Sequence, residues 1–213
     1  MTIARPVQTS FMEGMDRPVG PLPLSVQQGN NADLVSVIAP LYLAGSVLDV
    51  TYGRGMWWNR FRPDRFTFHD IELDGVDFTN LPHEDGEFDA VCYDPPYIPA
   101  GGQATTRDAE RLRSCFGLTP GRTANELDAL VTAGLAECCR VSNRWVLVKC
   151  MEFVGSAAFR DMPTEISNAA ADLGWIVHDR IVHFTGTGPG GHNIFTVKRA
   201  RRAHSYLIVL AKR

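Results

Sequence analysis

Short apolar segments alternate with helical patterns along most of this chain, and that alternation limits the folds it can adopt. From Asn31 the apolar residues recur at helical spacing, and Gly45 is a suitable stop for a helix. The segment SVLDV at 46–50 then has the composition of a buried strand. Further candidate strands lie at 66–69, 90–93, 145–149, 176–184 and 206–210, with helical patterns at about 123–139 and 164–173. This order predicts an α/β fold, a mostly parallel sheet with helices on both faces.

The size and composition of the chain fit one globular domain. Its 213 residues are 45% apolar, which is enough to fill a core. We expect an N-terminal arm over residues 1–30, which are rich in Pro, Gly and Gln, and a single domain over 31–213. The five cysteines and six histidines show no metal-ligand spacing, so reduced buried thiols and no metal site are expected. No leader or membrane-spanning run is visible, which predicts a soluble cytoplasmic protein.

Charge is distributed unevenly between the C-terminus and the rest of the chain. Residues 198–213 contain six basic side chains and no acid, although the whole chain has a net charge of −3. The other residues carry fifteen basic against twenty-four acidic side chains, a net of −9. Such asymmetry is typical of a protein that meets an anionic partner at one edge, and a solvated basic tail is the alternative.

Acidic residues follow successive candidate strands. In VLDVTYGRG, residues 47–55, Asp49 ends a strand and Gly53 and Gly55 follow in a turn where the backbone can approach a ligand closely. A third glycine is missing, so the segment does not match the dinucleotide fingerprint. Asp70 follows the next strand at a distance typical of a ribose contact. Asp77 and Phe78 are expected at the end of a further strand, where an acceptor and a ring could meet an adenine.

The motif DPPY at 94–97 stands directly after the apolar run 90–93. Two prolines fix the backbone there and hold a carbonyl group in one orientation. A stiff polar corner at the end of a buried strand indicates a site, and a structural Pro-Pro loop is the alternative.

Together, VLDVTYGRG and FDAVCYDPPY resemble the class I S-adenosylmethionine-dependent methyltransferases. DPPY resembles the catalytic motif of their nucleic-acid amino-methyltransferases, the DNA adenine-N6 and cytosine-N4 family. The resemblance covers about 31–213 and implies a Rossmann-like seven-stranded sheet, a C-terminal antiparallel hairpin and S-adenosylmethionine as cofactor. The cofactor-binding residues that it implies are Asp49, Thr51, Gly53, Gly55, Asp70 for the ribose, and Asp77 with Phe78 for the adenine.

By the same resemblance, the catalytic residues are Asp94, Pro95, Pro96 and Tyr97. The Asp94 carboxylate and the Pro95 carbonyl would accept the two N–H groups of a base amine, and Tyr97 would stack on the extruded base. Asp at the first position favours DNA adenine N6 over cytosine N4. An RNA base amino-methyltransferase, acting on guanine N2 or adenine N6, and an inactive nucleotide-binding partner module are the alternatives.

No separate target-recognition domain fits within this chain, so a homodimer or a partner subunit could supply specificity. The hairpin between the last two strands is expected beside the cleft, where its basic residues would contact nucleic acid, DNA in preference to RNA; these are Lys198, Arg199, Arg201 and Arg202. Lys149 ends the strand at 145–149. It could face the cleft as a site residue, or it could be a single lysine with no role in the site. Trp57 and Trp58 are expected to pack against a helix.

Overall fold

A seven-stranded sheet organises the part of the chain that the computed structural model describes, residues 22–96, 124–155, 158–185 and 202–213. Its strands are β1 (Val26–Gln28), β2 (Ser46–Asp49), β3 (Arg65–Phe68), β4 (Phe88–Tyr93), β5 (Ser142–Cys150), β8 (Trp175–Phe184) and β9 (His204–Lys212). A small second sheet pairs β6 (Phe153–Gly155) with β7 (Ala158–Arg160). The main sheet has the order β1-β8-β9-β5-β4-β2-β3, and among these strands β9 alone runs antiparallel to its neighbours. This arrangement confirms the predicted mostly parallel, Rossmann-like sheet.

Helices cover both faces of the sheet. Helix α1 (Asn31–Tyr42) and a 3₁₀ turn (Met56–Trp58) lie on one face, while α2 (Ala124–Val141) and α3 (Met162–Asp172) lie on the other. The central strand β4 serves both layers: its residues 90 and 92 pack toward α1, and residues 91 and 93 pack toward α2. A strand that is buried on both faces is apolar throughout, which explains why this segment reads as a continuous apolar run.

The C-terminal strands form the predicted antiparallel hairpin. β8 and β9 pair from Trp175 with Lys212 to Phe184 with His204, and β9 inserts between β8 and β5. The residues predicted to carry nucleic-acid contacts follow β8, and Lys198, Arg199 and Arg201 lie outside the described residues.

The end of the expected N-terminal arm joins the sheet. β1 pairs in parallel with the end of β8, and the amide of Val182 donates to the carbonyl of Ser25 at 2.8 Å. The amide of Gly29 donates to the carbonyl of Phe184 at 3.1 Å on the same edge. Residues 26–28 therefore form an edge strand directly before α1, while residues 1–21 lie outside the described part of the chain.

The expectation that Asp77 and Phe78 close a strand is wrong. Residues 69–87 contain turns and loop, and β3 is the outer strand on this side of the sheet. Acidic side chains stabilise these turns locally: Asp74 accepts from the amide of Val76, and Asp77 from the amide of Thr79. Short acidic side chains that bond nearby amides favour turns over strands. The sheet nevertheless has seven strands because β1 adds one at the opposite edge.

Four cysteines are buried as free thiols in the described residues: Cys92, Cys138, Cys139 and Cys150. Burial raises the pKa of each thiol above its ordinary value. Among the described helices, none combines the length and the apolar character that a membrane crossing requires.

Candidate active site

Three charged side chains meet where neighbouring parallel strands end. Asp49 is the last residue of β2, Asp94 follows β4, and Lys149 lies near the end of β5. Because β2, β4 and β5 are parallel neighbours, their carboxyl ends share one edge of the sheet, which is where ligands bind in folds of this kind. The sequence-predicted residues Asp49 and Asp94 are therefore brought together at one edge.

Asp49 is buried, with 4% of its surface exposed. One carboxylate oxygen accepts from the amide of Thr51 at 2.9 Å, and the other accepts from the indole N–H of Trp58 at 2.6 Å. Burial raises the pKa of Asp49 to about 7, although both hydrogen bonds lower it; the nearby charges of Asp94 and Asp70 raise it further. Asp49 thus braces the start of the turn with both of its oxygens.

The two glycines in the turn after β2 have different surroundings, and each is explained by a different feature. Gly55 has a φ of 67°, and a Cβ there would approach the hydroxyl of Tyr52 to 2.5 Å, so Tyr52 packing excludes a larger residue. A Cβ at Gly53 would meet no atom of the described residues closer than 4.0 Å, apart from its chain neighbours. Open space beside the Gly53 backbone leaves room for the close approach of a ligand.

Asp70 connects the loops that follow β2 and β3. Its carboxylate accepts from the amide of Gly53 at 2.9 Å and from the amide of Glu72 at 2.9 Å. Each oxygen keeps a further lone pair, because a carboxylate can accept about four hydrogen bonds. The carboxylate predicted to hold a ribose is therefore fixed beside the Gly53 backbone.

Asp77 and Phe78 follow Asp70 in the sequence and lie in the loop between β3 and β4. Asp77 is exposed, and its side chain accepts from the amide and the hydroxyl of Thr79. Phe78 is half-buried and packs with its ring centroid 5.4 Å from that of Tyr93. The Phe78 ring thus belongs partly to the core formed with α2.

Asp94 has a carboxylate whose two oxygens differ. Oδ2 accepts from the indole N–H of Trp57 at 3.2 Å, whereas Oδ1 is buried and has no hydrogen-bond partner among the described residues. The Asp94 amide donates to the hydroxyl of Thr51 at 2.8 Å, so Thr51 holds the DPPY corner against the glycine turn. Burial raises the pKa of Asp94, while the charge of Lys149 and the Trp57 hydrogen bond lower it.

The remaining predicted site residues divide between the buried corner, the loop after it and the hairpin. Pro95 and Pro96 are buried, and Tyr97 lies outside the described residues. Arg202 forms an ion pair with Glu152 at 2.7 Å, and its guanidinium lies 4.9 Å from the ring centroid of Phe159. Arg202 is therefore engaged within the protein next to the small sheet of β6 and β7.

Trp57 and Trp58 contribute more to this site than sequence analysis predicted. Both rings pack in the core on the α1 side, as expected, and each indole N–H also donates to a different acid: Trp57 to the partly buried Asp94 and Trp58 to the buried Asp49. The sequence signal for these hydrogen bonds was the pair of adjacent tryptophans after the glycine turn, because a buried indole N–H needs an acceptor.

A pair of histidines stabilises the loop that contains Asp70. Their Nε2 atoms are 2.8 Å apart, and each Nδ1 atom contacts a carboxylate: His69 with Asp74 at 2.6 Å and His83 with Glu87 at 3.1 Å. The two facing nitrogens can form one hydrogen bond, in which one ring donates its N–H and the other accepts. The pair thus ties the loop after β3 to the turn before β4.

A pocket of about 420 Å³ opens beside the start of α1. Its lining comes from three segments: Asn30, Asn31, Ala32, Met56, Asn59, Arg60 and Thr185. Asn31 also accepts a hydrogen bond from Lys149, and Met56 precedes Trp57, the partner of Asp94. The pocket therefore lies next to the residues that contact the Asp94 corner.

Searches against protein families and characterised proteins find no match for this chain. Several solved structures are similar to it in fold. A candidate RNA methyltransferase from Pyrococcus horikoshii has a TM-score of 0.48 and 13% identity, with 86% of this chain and 83% of the other covered. Magnesium protoporphyrin IX methyltransferase from Synechocystis PCC 6803, with bound SAH, has a TM-score of 0.46 and 12% identity, with 85% and 83% covered.

A candidate DNA modification methylase from Thermus thermophilus, in complex with S-adenosyl-L-methionine, has a TM-score of 0.41 and 11% identity. The match covers 78% of this chain and 55% of that one, so this chain spans about half of its length.

Proposed function

We propose that this protein transfers a methyl group from S-adenosylmethionine to an exocyclic amino group of a nucleic-acid base, with adenine N6 of DNA as the favoured acceptor. The observation that carries the proposal is the Asp94 carboxylate. Trp57 holds one of its oxygens, and the other is buried without a partner among the described residues. A buried acceptor of this kind at the carboxyl end of a central strand calls for a donor from a ligand.

An exocyclic amine supplies the donor that this corner lacks. Its lone pair is delocalised into the ring, so the free amine is a weak nucleophile. If one N–H donates to Asp94 Oδ1 and the other to the Pro95 carbonyl, the nitrogen is drawn toward a tetrahedral geometry and its lone pair becomes available. Pro95 and Pro96 keep that carbonyl in one orientation. Methylation leaves an extra proton on the nitrogen, which Asp94 Oδ1 accepts in the proposed reaction.

The residues of the glycine turn fit S-adenosylmethionine. Open space beside Gly53 admits a ligand, and the free lone pairs of Asp70 suit the hydroxyls of a ribose. Asp77 and Phe78 are proposed to meet the adenine. Asp49 would act indirectly, because it is almost fully buried and each of its oxygens is held by a donor from the chain, whereas Asp70 is partly exposed. When bound, the cofactor supplies a methyl group on a sulfonium, and the sulfur leaves as a neutral thioether.

The choice of adenine N6 as the methyl acceptor rests on the DPPY motif and on the proposed stacking of Tyr97 on the base. Asp at position 94 favours adenine N6, and Tyr97 is proposed to stack on the flipped base, which compensates about 1–3 kcal/mol of lost base stacking. Cytosine N4, RNA bases and an inactive module that serves a partner protein are the other outcomes that an experiment can distinguish.

Incubation with radiolabelled S-adenosylmethionine and separate pools of duplex DNA, single-stranded DNA and RNA tests the proposal. Each pool is digested, and the labelled nucleoside is identified by mass. We expect N6-methyladenine in DNA, and its loss in Asp94→Asn but not in Asp64→Asn, a change at an exposed acid. Methylcytosine or a methylated RNA nucleoside would reassign the acceptor. Absence of label from every pool would contradict the proposed activity and favour the inactive module.

A further inference from the structure

Lys149 is a buried lysine at the site edge of the sheet. Only 4% of its surface is exposed, and its Nζ donates to the side-chain oxygen of Asn31 at 3.0 Å. A buried ammonium group is costly unless an opposite charge or several acceptors lie near it. The roles proposed above for Asp94, Pro95 and Tyr97 do not involve this side chain.

Strand register places Lys149 beside Asp94. β4 and β5 are parallel neighbours whose last pair is Tyr93 with Val148, so Asp94, the first residue after β4, and Lys149 on β5 both follow this pair directly. Side chains at the same register of neighbouring parallel strands emerge on the same face of a sheet. The buried ammonium group and the partly buried carboxylate therefore lie close enough for the charge of Lys149 to act on Asp94.

The other titratable groups around this pair differ from Lys149 in charge. Burial and the charge of Lys149 lower the pKa of His183 on β8, which favours its neutral form. Burial raises the pKa of Cys150 on β5, so its thiol stays protonated. Asp49 on β2 is a second acid and competes with Asp94 for negative charge. Lys149 is thus the cation that can stabilise an ionised Asp94 among these neighbours.

We propose that Lys149 is a positioning residue that holds Asp94 in its ionised form, with Asn31 anchoring the ammonium group. This inference rests on the proposed function and adds a requirement on the acceptor. An ionised carboxylate only accepts hydrogen bonds, so Asp94 Oδ1 selects an acceptor that presents an N–H donor. A protonated Asp94 could instead donate its O–H to the amine and occupy the lone pair that has to react.

Two tryptophans provide a direct readout of the two acids in the protein without cofactor. The indole N–H of Trp57 contacts Asp94, and that of Trp58 contacts Asp49. Their ¹⁵N-indole signals, assigned with Trp57→Phe and Trp58→Phe, can be followed against pH by NMR. The Trp57 transition should disappear in Asp94→Asn, and the Trp58 transition in Asp49→Asn.

Removal of the ammonium group should shift one of these transitions. In Lys149→Met we expect the Trp57 midpoint to rise by about one pH unit or more, since a nearby opposite charge lowers a carboxyl pKa by roughly 1–3 units. The Trp58 midpoint should move much less. Lys149→Arg should restore the Trp57 midpoint in part, and Lys212→Met, a change at an exposed lysine on β9, should move neither.

The same variants separate this inference from the proposed activity. If methyl transfer is measured, the acid limb of its pH–rate profile should shift upward in Lys149→Met with the Trp57 midpoint. An unchanged Trp57 midpoint, or equal shifts of both indoles, would overturn the role of Lys149. Should Lys149→Met fail to fold, Asn31→Ala removes the anchor and should raise the Trp57 midpoint by a smaller amount. A Trp57 shift in a protein without transferase activity would support the effect of Lys149 on Asp94 and contradict the function alone.

Discussion

At the scale of residues, the site depends on how two successive indoles serve two acids. Trp58 donates to one oxygen of Asp49, and a backbone amide donates to the other, so both oxygens of this buried acid have partners within the protein. Trp57 occupies one oxygen of Asp94 and leaves the other without a partner among the described residues. The same kind of hydrogen bond therefore completes the contacts of Asp49 and orients Asp94, the acid that we propose to be reactive.

Asp94→Asn should slow methyl transfer strongly and leave cofactor affinity within a few-fold. The variant keeps the shape of the side chain but loses the negative charge, so the amine is no longer held by a charge-assisted acceptor. We expect a loss of about 10²–10³ in rate, as for other preorganised groups that meet developing charge. Single-turnover rates and isothermal titration with S-adenosylmethionine measure the two effects. A large loss of cofactor affinity would contradict the role given to Asp94.

Asp70→Ala should show the opposite behaviour. Loss of the carboxylate removes the proposed ribose contact and also frees the amide of Gly53. A hydrogen bond to a charged group contributes about 1.5–3 kcal/mol, so cofactor binding should weaken roughly 10- to 100-fold. At saturating cofactor the transfer rate should recover most of its wild-type value. Unchanged titration isotherms would exclude Asp70 from the cofactor site.

Asp49 should make the stability of the protein depend on pH. Burial raises its pKa to about 7 in the folded chain from an ordinary value of 3.8, so the folded state binds this proton more tightly. The resulting stabilisation is complete below pH 3.8 and is lost as the pH rises through 7. Between about pH 5 and 8 the loss should be about 3 kcal/mol.

Urea unfolding at several pH values measures this effect. Asp49→Asn removes the titrating group, so its unfolding free energy should fall less steeply over this range than that of the wild type. The variant should be less stable at about pH 5, because the NH₂ group of Asn cannot accept a hydrogen bond from Thr51 or Trp58, whereas both oxygens of the carboxyl group can accept. Equal pH slopes for the two proteins would contradict the raised pKa.

At the scale of elements, helix α1 connects the N-terminal edge strand to the site. Its first residue, Asn31, anchors Lys149, and its cap residue, Asn30, forms a capping box with Asp33. In that box the Asn30 side chain accepts from the amide of Asp33, and the Asp33 side chain accepts from the amide of Asn30. The start of the helix is therefore fixed where it meets the cleft.

Asn30→Ala should lower the unfolding free energy by about 1 kcal/mol, the usual cost of a lost N-cap. Asp33→Ala should cost more, because Asp33 also pairs with Arg60. Since each side chain caps the backbone of the other, the double variant should lose less than the sum of the single changes, with a coupling of about 0.5 kcal/mol or more. Chemical denaturation of the four proteins measures this coupling, and strict additivity would rule out a cooperative box.

The elements differ in how well local sequence predicts them. β2, β4 and β5 were predictable because their apolar runs are buried on both faces, and α1 because its cap and periodicity agree. The loop over 69–87 was not, since side-chain hydrogen bonds of Asp74 and Asp77 decide its turns. β1 has exposed side chains and no apolar period, and it exists because β8 offers an unpaired edge.

The candidate site likewise has residues that local sequence predicts and contacts that it does not predict. Asp49 and Asp94 could be found from their places after apolar strands, and the two glycines from the turn that must follow. The hydrogen bonds of Trp57 and Trp58 and the neighbourhood of Lys149 depend on how β2, β4 and β5 lie side by side. Such relations come from tertiary packing, which no local pattern encodes.

At the scale of the whole molecule, the basic run near the C-terminus stays a prediction. Replacing Lys198, Arg199 and Arg201 with Ala should weaken binding to all nucleic-acid sequences about equally. It should flatten the dependence of log affinity on log salt by about two to three units on duplex DNA, since each phosphate contact contributes roughly 0.9. Fluorescence anisotropy at several salt concentrations measures this slope.

Arg202→Ala serves as the matched variant, because Arg202 is paired with Glu152. Its effect on the salt slope should be smaller than one third of that of the triple variant. If the triple variant binds with the parental slope, the basic run is a solvated segment and the nucleic-acid path lies elsewhere.

The buried thiols make it possible to measure the order in which parts of the fold open. Cys92 and Cys150 lie on two of the strands that carry the candidate site, β4 and β5, and Cys138 and Cys139 lie on α2, which covers one face of these strands. Since burial and a raised pKa suppress the reactive thiolate, an alkylating reagent should modify each thiol only when its element opens. Mass spectrometry of peptides labelled over time would then report which part of the fold yields first. Because β4 and β5 are central strands, Cys92 and Cys150 should be modified at the rate of global unfolding, and the cleft edge that they carry should outlast every other part of the protein.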